Sequence, residues 1–161
     1  MKICAIGRLA IGLSIVLLGA GFAWGAGAPA KPAMGGYHLI KTISLPAAPG
    51  GDEYYDYITV DADARRVYIS HGAEVVVLNA DDYSVVGRIE GLHRSHGVAL
   101  APKLGMGFIT DGDSRPGASV QEVAIFDLKT LKITGHVTTA QDDTDAIIYD
   151  PPSNLVYTFN G

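Results

Sequence analysis

Two histidines stand close together in the stretch GLHRSHGVALAP, residues 91–102. Imidazole nitrogens are common ligands for divalent metals, and His93 and His96 are separated by only two residues. A helix would place both rings on one face at this spacing, but the apolar run that follows is typical of a strand. The pair alone therefore does not predict a metal site, and His93 is predicted to be a solvent-exposed loop residue.

Carboxylate side chains gather in two other stretches, GGDEYYD (50–56) and QDDTD (141–145). Such runs are usually solvated loops, but carboxylate oxygens are also the ligands that hard divalent cations prefer. Whether these groups act together depends on the elements that carry them.

Other kinds of catalytic chemistry lack the residues that they need. Cys4 is the single cysteine and lies in a predicted leader, so the mature chain would have neither a disulfide nor a thiolate nucleophile. The sequence contains no Gly-x-Ser-x-Gly elbow, no histidine metalloprotease motif and no Cys-x-x-Cys-His haem attachment. No paired nucleophile and base is therefore predicted.

The N-terminus has the pattern of a secretory signal peptide. Lys2 and Arg8 precede the apolar run LAIGLSIVLLGAGFA, which is shorter than the roughly twenty residues that span a bilayer. We predict a signal peptide over residues 1–25, cleaved after Gly25, with an uncleaved anchor as the alternative. The mature protein is expected to be periplasmic or secreted, with no membrane contact after cleavage.

The charge balance is acidic, with 12 Lys and Arg against 17 Asp and Glu and a formal net charge of −5. Removing the leader leaves ten basic residues and a balance of −7. An acidic chain without a basic run is not expected to bind nucleic acid. Residues 26–36, AGAPAKPAMGG, are predicted to form a flexible linker.

Three segments repeat one pattern of a short apolar strand, a polar turn, a second strand containing an aromatic residue, and a glycine. They are YITVDADARRVYISHG (57–72), GVALAPKLGMGFITDG (97–112) and AIIYDPPSNLVYTFNG (146–161). The first two are offset by 40 residues, and their downstream parts, VVVLNADDYSVVGRIEG (75–91) and VAIFDLKTLKITGHVTT (123–139), by 48. Four-stranded units of this length predict a β-propeller, in which each blade packs against its neighbours.

The second strands carry a resemblance to a known family. YISH (68–71), FITD (108–111) and YTFN (157–160) are similar to the Y-V-T-N element, and VAIFDLKTLKI (123–133) is similar to that family's V-x-V-I-D-x-x-T-x-K-V pattern. The chain resembles the exported YVTN-repeat, YncE-like β-propellers over residues 37–161. His71, at the asparagine position of the first element, is predicted to be a turn residue.

The resemblance implies an all-β fold, a partial β-propeller of about two and a half four-stranded blades after the signal peptide. Blade 1 is predicted over 54–91, blade 2 over 95–139 and the start of blade 3 over 144–161. YHLIKTISL (37–45) matches a fourth strand without its first three, and in the family such an orphan strand resembles the closing strand of the ring. We expect an N-terminal fragment of a propeller of about seven blades; the alternative is a short chain that builds a ring from several copies.

The repeat alignment places the candidate ligands at equivalent positions in consecutive blades. The first strands are predicted to begin at Ile58, Val98 and Ile147 and to line the central channel.

Two positions before these strands stand Asp56, His96 and Asp145, one in each consecutive blade. This set predicts a ligand site at one channel mouth, and a divalent cation is the cofactor that carboxylates and an imidazole would suit. Tyr57 and Asp143 are the neighbouring candidates. The alternative is that these polar residues only form turns.

Two functions remain open at this point. The first is a binding or scaffold module that recognises a small molecule, a cation or a partner protein at the channel mouth. The alternative is a propeller enzyme, either a metal-dependent lactonase-like hydrolase or a redox enzyme, with its site on the central axis. The resemblance does not choose between them, because the repeat marks blade geometry and hosts several activities.

Overall fold

The computed structural model describes residues 2–7, 36–113, 115, 120–139 and 143–160. These residues form antiparallel β-sheets with two short 3-10 turns, so the predicted all-β fold is confirmed. Neither turn has the length or hydropathy of a membrane-spanning helix, and the described residues contain no other helix. The chain divides into two compact units, Met1–Leu45 and Pro46–Gly161.

The first unit is a two-stranded sheet. Strand β1 (Lys2–Gly7) pairs antiparallel with β2 (His38–Ser44), with Lys2 opposite Ser44. β2 forms where the orphan strand is predicted, and β1 lies within the predicted signal peptide. Residues 8–35, which hold the rest of the leader and most of the linker, lie outside the described residues, so cleavage after Gly25 stays a prediction.

The second unit begins with two four-stranded sheets, each in simple meander order. Blade 1 consists of β3 (Tyr55–Asp61), β4 (Arg66–His71), β5 (Glu74–Asn79) and β6 (Val85–Glu90). Blade 2 consists of β7 (Ser95–Ala101), β8 (Met106–Gly112), β9 (Gln121–Asp127) and β10 (Ile133–Thr138). Strands rich in β-branched residues form the sheets, and Asx turns join them: Asn79 accepts from the Asp81 amide, and Asp127 from the Thr130 amide.

Blade 3 is described as a two-stranded sheet, β11 (Thr144–Asp150) paired with β12 (Leu155–Asn160). The turn between them is closed by the Asp150 carboxylate, which accepts from the hydroxyl of Ser153 at 2.5 Å. Phe159 on β12 is 62% exposed, and several other large apolar residues of this sheet are exposed as well. The predicted partial propeller of two and a half blades is thus confirmed as the architecture.

A hydrophobic core joins blades 1 and 2. Its buried members are Tyr68, Val75, Val77, Ile89, Leu92, Val98, Ile109, Ala124, Phe126 and Leu131. The rings of Tyr68 and Phe126, one from each blade, lie 6.0 Å apart. A β-carbon at Gly107 would lie 2.1 Å from the Phe126 ring, so the glycine makes room for that ring on its own sheet.

The first strands of the three blades, β3, β7 and β11, lie side by side, with β7 packed between the other two. Together they line a groove of about 280 Å³. The Thr59 hydroxyl of β3 donates to the Val98 carbonyl oxygen of β7 at 2.8 Å. We call these three strands the inner strands, because they occupy the position that lines the channel in a propeller.

Candidate cation site at the inner strands

Each inner strand begins three residues earlier than the repeat pattern predicts, because its pairing continues past a register shift. At each shift two residues of the inner strand face one residue of the next strand, which is the pattern of a β-bulge. The bulged pairs are Asp56 and Tyr57 opposite Ser70, His96 and Gly97 opposite Thr110, and Asp145 and Ala146 opposite Phe159. A bulge bends its strand and redirects a side chain, so the repeat gives all three candidate ligands the same local geometry.

The bulges bring Asp56, His96 and Asp145 together. Nδ1 of His96 lies 2.8 Å from Oδ2 of Asp56 and 3.9 Å from Oδ1 of Asp145. The His96 side chain is 9% exposed, while that of Asp145 is 40% exposed. One ligand atom from each residue lies within 4.8 Å of the others. We call this group the axial cluster.

The hydrogen bond of the other ring nitrogen of His96 determines which tautomer the imidazole adopts. Nε2 lies 2.8 Å from the carbonyl oxygen of Gly112, which can only accept, so Nε2 carries a proton. In a neutral imidazole the lone pair is then on Nδ1, facing the acceptor oxygens of Asp56 and Asp145. Acceptors that face one another in this way offer ligand atoms that a metal ion could bridge. A backbone carbonyl that orients a histidine in this way is a usual partner in metal sites.

Tyr54 and Arg94 flank the axial cluster. The Tyr54 hydroxyl donates to Oδ2 of Asp56 at 2.8 Å, and the Arg94 guanidinium lies 3.8 Å from the centre of the Tyr54 ring. Burial, followed by the hydrogen bond to Asp56, raises the pKa of Tyr54 to about 12. Tyr54 therefore stays a neutral donor through the physiological range and holds the Asp56 carboxylate in place.

Hydrogen bonds from one blade to the backbone of the next hold the bulged residues in position. The Ser70 hydroxyl of blade 1 donates to the backbone carbonyl oxygen of His96, and the Thr110 hydroxyl of blade 2 donates to that of Asp145. Ser70 and Thr110 are both fully buried, and they occupy the same place in the repeat, opposite the bulge of their own blade. Each blade thereby sets the position of the ligand that the next blade contributes.

Gly97 allows blade 3 to come close to blade 2. A β-carbon at this position would lie 2.8 Å from Cγ2 of Ile147 and 3.2 Å from the carbonyl oxygen of Asp145. The corresponding bulge residues of the other blades, Tyr57 and Ala146, carry side chains. Glycine at this position is thus a packing requirement of the axial cluster.

The other two candidates from the sequence, Tyr57 and Asp143, are not ligands of the axial cluster. Tyr57 is 40% exposed, and the charge of Asp145, its largest influence, raises the pKa of the Tyr57 hydroxyl. Asp143 precedes β11 with a φ of 58°, and the structure does not bring it into the axial cluster. Asp56, His96 and Asp145 lie inside strands, so the alternative that they only form turns does not describe them.

One histidine prediction needs correction. His71 is not a turn residue: it ends β4, is fully buried and stacks on Tyr55 at 4.0 Å between ring centres. His93 is exposed and lies in the loop before β7, as predicted, and its Nδ1 lies 3.0 Å from Oδ2 of Asp111. His71 and Asp111 occupy the same position of the repeat, at the last residue of β4 and the next-to-last residue of β8, and each contacts the loop before the first strand of its own blade.

Several residues of the site escaped the sequence reasoning. Ser70, Thr110 and the carbonyl group of Gly112 all support the axial cluster, and the residue types alone predict no such role. A signal was present for Ser70 and Thr110, which share the third position of the YISH and FITD elements. Recognising their role required knowing which neighbouring blade they face.

Comparison with known proteins supports the fold and assigns no activity. No protein-family model matches this chain, and no curated protein sequence matches it. Among solved structures, hydrazine synthase from Kuenenia stuttgartiensis is similar, at 16% sequence identity and a TM-score of 0.57. The match covers 78% of this chain and 33% of that chain, so this sequence spans about a third of the length of the similar protein. At this identity the likeness concerns the architecture alone, an all-β arrangement of four-stranded blades.

Proposed function

We propose that this chain belongs to an exported β-propeller of the YVTN-repeat type and acts as a binding module. Its ligand is a divalent cation held at the axial cluster of Asp56, His96 and Asp145. Mn²⁺ and Zn²⁺ fit best, because a mixed set of one imidazole and two carboxylates suits these metals. The cation can also anchor a small ligand or a partner at the mouth of the channel.

The observation that carries this proposal is the orientation of His96. Its Nε2 proton is committed to the Gly112 carbonyl oxygen at 2.8 Å, and its Nδ1 faces two carboxylates. The 2.8 Å between Nδ1 and the Asp56 oxygen is close to the separation of about 3 Å between adjacent ligands of a small divalent ion. Asp145 is partly exposed, which leaves a path for the ion from solvent.

The family and the location are supported by the sequence. The YISH, FITD and YTFN elements lie in the C-terminal parts of the second strands of three consecutive sheets, β4, β8 and β12. Export is supported by the apolar N-terminal run that follows Lys2 and Arg8, and the single cysteine, Cys4, precedes that run inside the predicted leader. An exported, cysteine-free mature domain would meet its metal outside the reducing cytoplasm, where carboxylates and imidazoles are ligands that do not oxidise.

Metal titration of the 161-residue chain tests the proposal. Isothermal titration with Mn²⁺ and with Zn²⁺ is expected to show a site that Asp145→Asn weakens by at least about tenfold, because a charged ligand is lost. Asp145→Asn keeps the size of the side chain and leaves its backbone carbonyl free to bind Thr110. Asp150→Asn, a carboxylate of β11 outside the cluster, is the matched control and is expected to leave the affinity unchanged.

Two results would contradict the proposal. One is that Asp145→Asn binds Mn²⁺ as tightly as wild type does, and also binds Zn²⁺ as tightly as wild type does. The other is a melting temperature of the wild-type chain that neither metal changes, since a ligand that binds only the folded state must stabilise it.

A further inference from the structure

A second constellation of imidazoles and carboxylates lies in blade 2, apart from the axial cluster. Nδ1 of His93 lies 3.0 Å from Oδ2 of Asp111, and Nδ1 of His136 lies 2.7 Å from Oε1 of Glu122. Ligand atoms of His93, Asp111 and Glu122 lie within 4.8 Å of one another. His93 belongs to the loop before β7, and the other three belong to β8, β9 and β10 of the same sheet. We call these four residues the blade 2 cluster.

Blade 1 carries the same arrangement with different residues. The repeat offsets of 40 and 48 place Glu53, His71, Glu74 and Arg88 at the positions of His93, Asp111, Glu122 and His136. The contacts are the same two pairs: His71 Nε2 lies 3.1 Å from Glu53, and the Arg88 guanidinium donates to the fully buried Glu74. The two clusters are therefore one structural position filled in two ways.

The two versions differ in charge. In blade 1 the permanent cation Arg88 faces the buried carboxylate of Glu74. In blade 2 that position holds His136, so two carboxylates face two imidazoles without a permanent positive charge among the four. Asp111 is fully buried, and a buried carboxylate is unfavourable unless it is paired and hydrogen-bonded. We infer that a divalent transition metal, Zn²⁺ by ligand type, takes the place in blade 2 that the arginine takes in blade 1.

The backbone fixes one ligand in advance. Oδ1 of Asp111 accepts from the His93 amide at 2.9 Å and from the Arg94 amide at 2.7 Å. Its Oδ2 also accepts from the His93 amide, at 3.0 Å, and lies beside the His93 ring. The separation of 3.0 Å between Oδ2 and Nδ1 is near the distance of about 3.3 Å between adjacent ligands in a tetrahedral zinc site. His93, Asp111 and Glu122 supply three ligands, and Nδ1 of His136, 2.7 Å from Oε1 of Glu122, is the candidate for the fourth position of a tetrahedral site.

The site is open to its metal. The side chains of His93 and His136 are 50% and 41% exposed, so Zn²⁺ can enter from solvent. In each imidazole, binding at Nδ1 requires the neutral tautomer with its proton on Nε2. The blade 2 cluster uses no residue of the axial cluster, so this inference does not depend on the proposed function.

Zinc titrations of the 161-residue chain and its variants test the inference. Two variants disable the blade 2 cluster, His93→Gln and His136→Gln, and Asp145→Asn disables the axial cluster. Zinc binding is expected to persist in Asp145→Asn and to fall by at least about tenfold when His93→Gln or His136→Gln is added to it. His38→Gln, an exposed histidine outside both clusters, is the matched control.

The substitution His136→Arg copies blade 1 into blade 2 and makes the sharper test. It is expected to abolish zinc binding at this site while leaving the far-ultraviolet circular dichroism and the melting temperature without zinc unchanged or higher. Full zinc affinity in Asp145→Asn/His136→Arg would overturn the inference, as would the absence of zinc binding from Asp145→Asn alone. If instead Asp145→Asn keeps all the zinc of wild type, the axial proposal fails and the blade 2 site stands.

Discussion

His96 donates a hydrogen bond from Nε2 to the carbonyl oxygen of Gly112 at 2.8 Å. The contact joins the N-terminal end of β7 to the C-terminal end of β8. This contact fixes the ring orientation within blade 2, and the opposite edge of the ring meets Asp56 of blade 1 and Asp145 of blade 3. A single side chain thus reports on the positions of three blades. Changes that shift one blade relative to another should therefore be visible as changes in cation binding.

Thr110 is expected to stabilise the contact between blades 2 and 3. Its buried hydroxyl accepts from the Gly97 amide at 2.8 Å and donates to the Asp145 carbonyl oxygen. Thr110→Val keeps the shape but leaves both backbone groups unpaired, so the free energy of unfolding should fall by about 2 kcal/mol or more. Urea unfolding measures the change. Thr110→Ser keeps the hydroxyl and should cost less, and a valine variant more stable than the serine variant would contradict the assignment.

Gly97 is expected to be intolerant of even one added carbon. Gly97→Ala places a methyl group 2.8 Å from Ile147 Cγ2 and 3.1 Å from the Ile147 amide nitrogen, so β11 must move. The free energy of unfolding should fall by about 1–3 kcal/mol, and the cation affinity of the axial cluster should fall with it. Gly135→Ala is the control, because a β-carbon there would meet nothing within 4 Å. Equal stability of the two variants would show that blade 3 is not packed as described.

Tyr54 gives the site a pH dependence on the alkaline side. Burial and the hydrogen bond to Asp56 raise the pKa of its hydroxyl from 10.0 to about 12, so folding favours the neutral phenol. The stabilisation is fully present below about pH 10 and is lost as the pH rises toward about 12. In Tyr54→Phe, the ultraviolet titration of tyrosinate should lose its late component, and stability should decline less steeply above pH 10. An unchanged late component would assign that pKa to another tyrosine.

The Glu74–Arg88 pair is expected to be far more sensitive than the surface pair Arg65–Asp81. Glu74 is fully buried, so Arg88→Ala leaves a carboxylate without its partner and should lower the free energy of unfolding by about 3–5 kcal/mol. Arg65 and Asp81 are 55% and 61% exposed, and Arg65→Ala should cost less than about 1 kcal/mol.

The double variant Glu74→Leu/Arg88→Leu separates charge from packing. Removing both charges should recover much of the stability that Arg88→Ala loses, because the unpaired buried carboxylate is then absent. Chemical unfolding of the three variants side by side makes the comparison. A double variant as unstable as Arg88→Ala would mean that Arg88 acts through its aliphatic packing.

The sequence predicted the architecture well because each blade of a propeller repeats the same local pattern of strands and turns. Alternating apolar residues and Asp or Asn turns recur at offsets of 40 and 48, and these local patterns are enough to form each four-stranded sheet. The same register also identified Asp56, His96 and Asp145 as equivalent residues. It did not predict the bulges, because a register shift depends on pairing between strands and leaves no fixed mark in the sequence.

The sequence by itself determined which residues are equivalent, and the tertiary structure decided which of them meet. His93 and His96 are neighbours in the chain, yet His93 joins Asp111 and His96 joins Asp56. The sequence predicts His71 as a turn residue and assigns no role to Glu74, whereas packing buries both side chains, with Nδ1 of His71 3.6 Å from Oε1 of Glu74. The reason is that covalent spacing sets the repeat, whereas contacts between residues forty positions apart arise only when one blade packs against the next.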